Sequence, residues 1–255
     1  MIINYQPYLL YNLNPWPFLI SLNMLSTMIN YTYMSKYMKY QMFIFTLILL
    51  MWTMFMWFNQ LFYESIKGKQ TYLVFFNLKL NFILFILTEM LLFSSLFWNF
   101  FNSFDQFNWM SWPPNFIQIL KYQELPLLNT LILLTSSLTM STSHMMMIMN
   151  NYKKNFIFTN MTIILSLYFI SLQIYEFNNC KFNINDSIYS NSFFIITGLH
   201  GLHVIFGTIL LLSTIKFKNW YFLTHHFNMN LATWYWHFVD MIWLFVYSLI
   251  YWLVS

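Results

Sequence analysis

From Leu231 to Val254 the chain is apolar for longer than the roughly 20 residues an α-helix needs to cross a bilayer. His237 and Asp240 nevertheless sit inside that run, three positions apart and therefore on one helical face. An aspartate at the centre of a span costs about 2.5–3.5 kcal/mol on insertion scales, so it must face protein. A helix of this kind cannot stand alone in lipid. It demands neighbouring helices, and the rest of the chain supplies them.

The 255 residues are 59% apolar and only 7% charged, against about a quarter charged in soluble domains. A polytopic membrane protein without a water-soluble domain is the expected class. The formal net charge of +4 comes from lysines scattered through loops, so it reads as a topology signal and not as a nucleic-acid surface. Cys180 is the single cysteine, which excludes an intramolecular disulfide and a cysteine-based metal cluster. Met1–Asn14 lacks the basic n-region of a secretory signal and the pattern of a transit peptide, so insertion without a cleaved leader is expected. Arg is absent and Ala232 is the only alanine, while Phe, Ile, Asn, Tyr, Lys and Met abound. That bias follows A/T-rich codons and points to a small, AT-rich, organellar genome.

Seven spans are expected, at residues 17–34, 41–62, 80–101, 126–149, 156–175, 193–215 and 231–254, in one all-α transmembrane domain covering 1–255. Seven crossings put the termini on opposite sides. Loops on the N-terminal side hold Lys67, Lys69, Lys153, Lys154, Lys216 and Lys218, against Lys36, Lys39, Lys121 and Lys181 on the other. The excess places the N-terminus on the inner, positive side.

Glu89, near the middle of the third span, has the apolar helical neighbours Phe82, Phe85, Ile86, Leu92, Phe93 and Leu96. An acid at that depth is a candidate proton-handling or lipid-contacting group; the alternative is a buried acid hydrogen-bonded to the next helix. His200 and His203 in the sixth span, and His225, His226 and His237 at the seventh, raise the question of haem or a metal pair. No carboxylate lies within a turn of His200 or His203, so there is no Glu-x-x-His di-metal motif. Hydrogen bonding across helices is the reading preferred for these histidines. Gly198, Gly201 and Gly207, and the Ser/Thr run of the fourth span, read as close helix packing, and Trp109 and Trp112 as interfacial anchors.

Several stretches in order resemble one family. They are Pro15-Trp16-Pro17; Ile83-Leu84-Phe85 with Glu89 and Phe97-Trp98; Trp112-Pro113-Pro114; and Glu124-Leu125-Pro126-Leu127-Leu128-Asn129-Thr130. Thr197-Gly198-Leu199-His200-Gly201-Leu202-His203-Val204-Ile205 and Trp234-Tyr235-Trp236-His237-Phe238-Val239-Asp240 follow, the latter after His225-His226-Phe227. Together they resemble the cytochrome c oxidase subunit 3 family over nearly the whole chain.

The resemblance implies a two-helix pair and a five-helix bundle with a cleft that holds phospholipids. It implies a mitochondrial inner-membrane location, with the N-terminus on the matrix side and the C-terminus facing the intermembrane space. The implied role is that of a non-redox core subunit of the proton-translocating oxidase that reduces oxygen to water with electrons from cytochrome c. It would pack on subunit 1, stabilise it and support proton uptake. No cofactor or metal is implied in this chain; haem a, haem a3 and copper would lie in partner subunits. Glu89, Glu64, Trp57 and Trp98 would belong to the proton- and lipid-handling cleft, and His200, His203, His225, His226, His237 and Asp240 to a polar packing network.

The chain departs from the family pattern at Lys67-Gly68-Lys69-Gln70-Thr71, at Asn59 and Tyr63 where relatives carry arginine, and at Asn230 where they carry glutamate. Lys67 and Lys69 are expected to take over contact with lipid headgroups, as point charges without the bidentate fork of Arg. The rival readings are a stand-alone seven-helix transporter, which would want helices broken by Gly or Pro, and a membrane enzyme holding haem or metal through the histidines.

Overall fold

The structure, a computed structural model, describes residues 14–66, 72–106, 112–114, 117–118, 120–216 and 227–254. Among the described residues seven α-helices occur in the expected order: α1 Trp16–Tyr37, α2 Gln41–Ile66, α3 Tyr72–Gln106, α4 Leu125–Ile148, α5 Tyr152–Asn179, α6 Ile188–Lys216 and α7 Phe227–Val246. A π-helical turn, Tyr247–Trp252, continues from α7. The chain is an all-α, polytopic membrane protein. Five helices, α2 to α6, are long and apolar enough to cross a bilayer. In α1 and α7 the apolar run is diluted by Asn23 and Asn30, and by Asn228, Asn230, His237 and Asp240.

Local signals explain the helix ends. Asn14 Oδ1 accepts from the Trp16 backbone N–H at 3.1 Å, and Pro17 occupies the first turn of α1, where a missing donor costs nothing. Between α4 and α5, Asn150 adopts a left-handed conformation (φ 58°), which asparagine tolerates better than most residues. The next residue, Asn151, caps α5 by accepting from the Lys154 N–H at 3.4 Å. Helix hydroxyls such as Thr27, Ser95, Thr162 and Ser166 donate to the carbonyl three residues earlier, which satisfies them without water.

Helices outrun the expected apolar windows. α3 has 35 residues, about 52 Å at 1.5 Å per residue, so it exceeds the roughly 30 Å hydrocarbon core. Its first turns carry Asn77, Lys79 and Asn81, which depress hydropathy without breaking the helix. α5 runs four residues beyond residue 175 and so takes in Glu176.

The chain forms two compact units, Met1–Leu80 and Asn81–Ser255, with the boundary inside α3. In the first, α1 packs along α2. Trp16 Nε1 donates to Gln60 Oε1, Asn23 Nδ2 donates to Thr53 Oγ1 at 3.2 Å, and Trp16 meets Trp52 edge-on at 6.4 Å.

In the second unit α4 packs on α5 and α7, α5 on α6, and α6 on α7. The core is aromatic: Trp236, Trp243, Tyr189, Tyr235, Tyr251, Phe93, Phe100, Phe169 and Phe193 are all fully buried. A stripe of α3 at 3- and 4-residue spacing joins this core, with Phe82 and Phe85 on Tyr235, Phe93 on His203 and Phe97 on Phe245. Trp112 also belongs to it, stacked edge-on against Phe100 and Tyr189 at 6.0 Å each. The expectation that Trp112 is an interfacial anchor is thereby corrected, because the ring finds aromatic partners inside the bundle. Trp109 lies outside the described residues.

Gly207 is the glycine that close packing requires. A Cβ there would stand 3.0 Å from the Trp236 ring. Gly198 and Gly201 differ, since a Cβ at either meets nothing within 4 Å, and the packing role expected for them is not found within this chain.

Candidate functional site

The α3 stripe carries Glu89 to α6. His203 Nε2 lies 3.0 Å from Glu89 Oε2, and His203 Nδ1 lies 2.8 Å from the Leu199 carbonyl. A carbonyl only accepts, so Nδ1 must carry a hydrogen. Nε2 then either donates to a carboxylate or accepts from a carboxylic acid. In both cases one proton sits between the two side chains and the pair is neutral overall. That arrangement avoids the cost of a lone charge at membrane depth. The Tyr235 ring lies nearly parallel to the imidazole at 6.5 Å, and Phe93 meets its edge at 5.1 Å. The pair is not sealed off, for the Glu89 side chain keeps 21% of its exposure and His203 keeps 14%.

The other expected site residues fall into separate places. Glu64 is buried in the first unit and accepts from Gln60 Nε2 at 3.1 Å. Since Gln60 also accepts from Trp16, one glutamine ties the start of α1 to the acid near the end of α2. Trp57 is half-buried and stacked on Phe58 at 6.1 Å, whereas Trp98 on α3 is 69% exposed. Lys67, Lys69, His225 and His226 lie outside the described residues.

His200 is fully buried and donates from Nε2 to the Val239 carbonyl at 3.2 Å, between the rings of Phe169 (5.6 Å) and Trp243 (5.0 Å). His237 faces Ser141 Oγ at 3.4 Å. Asp240 is buried, yet neither carboxyl oxygen meets a partner within the described residues. No three His, Cys, Asp or Glu side chains converge where they could hold a metal ion among the described residues.

Sequence reasoning missed several polar contacts. His144 donates from Nε2 to Asn230 Oδ1 at 2.6 Å, joining α4 to α7. Trp236 Nε1 donates to Ser136 Oγ at 3.1 Å, and Ser143 donates to Asn155 Oδ1 at 2.7 Å, so the hydroxyl run of α4 serves both its neighbours. Glu176, fully buried at the end of α5, accepts from Tyr251 Oη at 2.6 Å. A QxxE spacing, Gln173 and Glu176, was the available signal for it, but it fell past the expected end of the span. Just beyond α5, Cys180 Sγ donates to the Glu176 carbonyl at 3.2 Å. Burial, with the Glu176 carboxylate as a smaller cause, pushes its thiol up to about 12.

The family model for cytochrome c oxidase subunit III matches residues 6–255. The chain belongs to the cytochrome c oxidase subunit III family. Curated relatives named cytochrome c oxidase subunit 3 agree along the whole length. The one from Drosophila melanogaster is 37% identical over 253 residues, covering 97% of both chains. That from Aedes aegypti is 36% identical over the same length and coverage. The one from Allomyces macrogynus is 42% identical over 213 residues, 81% of this chain and 78% of the relative. Membership of the subunit III family makes the chain a subunit of the respiratory oxidase, and the polytopic helical architecture accords with that assignment.

Proposed function

We propose that this chain is a non-redox core subunit of the mitochondrial oxidase, which stabilises subunit 1 and supports proton uptake during oxygen reduction. The observation that carries the reading is the Glu89–His203 pair. It is a neutral, proton-sharing unit on the α3–α6 seam, with the acid still partly open to the surroundings. Glu176, by contrast, is fully buried. The haems and copper belong to the partner subunits in this reading, and the histidines of this chain are packing and hydrogen-bonding groups.

Phospholipids are the second class of partner. Glu64, Trp57, Trp98 and Glu89 are the polar and aromatic groups proposed to meet them, with Lys67 and Lys69 at the headgroups. The proposed location is the inner membrane, with the N-terminus on the matrix side, following the lysine excess of the loops on that side.

The test is Glu89→Gln in the assembled oxidase. Glutamine keeps a hydrogen-bonding group beside His203 but cannot share its proton. Haem spectra and subunit content are expected to be unchanged, while proton uptake slows without stopping. Loss of the haem signals would make Glu89 an assembly residue and overturn the reading.

A further inference from the structure

The end of α5 and the π-helical turn after α7 enclose a set of polar atoms that no described residue satisfies. Gln173 and Glu176 lie three residues apart on one face of α5, 4% and 0% exposed. Glu176 Oε1 takes the Tyr251 hydroxyl, but Oε2 has no partner, and neither end of the Gln173 amide has one. Gln173 lies beside the same hydroxyl without reaching hydrogen-bond geometry. Tyr251 is placed there by the π-helical turn, in which the Leu253 N–H reaches back five residues to the Ser248 carbonyl at 3.1 Å. Such turns re-aim side chains that an α-helix would point elsewhere.

The set continues inward. The Tyr251 ring is 6.1 Å from Trp243, and Trp243 is 5.0 Å from His200. Trp243 Nε1 is a donor and His200 Nδ1 an acceptor, both fully buried and both unpaired. Nδ1 is an acceptor because Nε2 already holds the hydrogen given to Val239.

A buried polar group without a partner is costly, and among the described residues five such atoms fall along one seam. The donors and acceptors alternate in kind, as they must where small molecules that both donate and accept bridge them. Water is the one ligand of that chemistry that fits among side chains packed this closely, and it commonly makes about three bonds to such groups.

We propose that the seam between α5 and the end of α7 is a built water site, with Gln173, Glu176 and Tyr251 as its ligands and Trp243 and His200 as its inward continuation. The site suits either state of Glu176. As an acid it donates from Oε2 to the water, and as an anion it accepts from it. The consequence is a hydrated polar seam inside the bundle, separate from the Glu89–His203 pair and independent of its role.

The experiment is a structure of the assembled oxidase carrying this chain, at a resolution that shows ordered water. A density peak within hydrogen-bond distance of both the Gln173 amide and Glu176 Oε2 is expected. A direct Gln173–Glu176 or Gln173–Tyr251 bond with no peak, or a lipid chain filling the seam, would overturn the proposal. In a Gln173→Leu chain that peak should vanish while the Tyr251–Glu176 bond remains; an unchanged peak would remove Gln173 as a ligand and the proposal with it. If the variant fails to assemble, the map of the unaltered complex still decides. A second readout is the infrared band of the Glu176 side chain, assigned by its loss in Glu176→Gln. Transfer to D2O should promptly shift the C=O band of its protonated form if water reaches the site, and no shift of that band over hours would count against the site.

Discussion

The α1–α2 pair and the α3–α7 bundle solve the same problem with different chemistry. In the pair, the buried residues among those described are Thr27, Thr46, Thr53 and Glu64, all polar, and large apolar side chains such as Phe18, Met51, Trp52 and Phe58 stay exposed. In the bundle the largest fully buried side chains are mostly Trp, Tyr and Phe. Two helices have one seam, and in lipid that seam gains nothing from hiding apolar surface, so it is held by small hydroxyls and a few side-chain hydrogen bonds. Five helices enclose an interior, where large rings fill volume and gain dispersion contacts. Polar groups then become seams between rings, as at Glu89–His203 and Glu176–Tyr251.

The comparison can be broken most forcefully in the bundle. Trp236→Ala should cost about 3–5 kcal/mol, since it empties a fully buried site and removes the indole donor to the Ser136 hydroxyl. Thermal unfolding of the assembled complex should register it as a marked loss, and a near-native transition would mean that aromatic filling is not what holds the bundle. Gly207→Ala is next, at about 1–3 kcal/mol, because its Cβ meets the Trp236 ring at 3.0 Å. Gly201→Ala, with open space at its Cβ, is the matched control and should be neutral for the isolated chain.

The pair should answer more quietly. Thr53→Val removes the acceptor for Asn23 Nδ2 while keeping shape, and should cost about 0.6 kcal/mol, the average for such bonds between membrane helices. A loss as large as that for Trp236→Ala would erase the distinction between the two regions. The smallest effect is at Cys180, just past the last residue of α5, where the half-buried thiol donates to the Glu176 carbonyl. With its thiol pushed up to about 12, Cys180 stays protonated at neutral pH. Labelling by iodoacetamide should therefore be slow at pH 7 and rise about tenfold per pH unit toward pH 9, following the thiolate fraction. Fast labelling at pH 7 would show that burial does not hold the thiol protonated.

Legibility in the sequence followed the range of the interactions. Glu89 was visible as a functional candidate because its helical neighbours are all apolar, a local property. Its partner was not, because His203 is 114 residues away and nothing local distinguishes it from His200 three positions earlier. Glu176 was hidden by an end effect. Apolar windows stop at residue 175, yet α5 continues to Asn179, with Tyr251 anchoring the acid that hydropathy would place in a loop. Trp112 was misread for the same reason. Its loop position spoke for the interface, and only the rings of Phe100 and Tyr189 reveal that it points inward.

The sequence by itself determined the number, order and class of the helices, because a bilayer accepts little else than long apolar helices with internally satisfied backbones. It determined the family through motifs spread along nearly the whole chain. Tertiary structure alone decided which polar groups meet, which glycine a neighbour presses on and which acid stays open. Those outcomes depend on how helices rotate against one another, and rotation is settled by the fit of side chains distant in sequence, which no single stretch encodes.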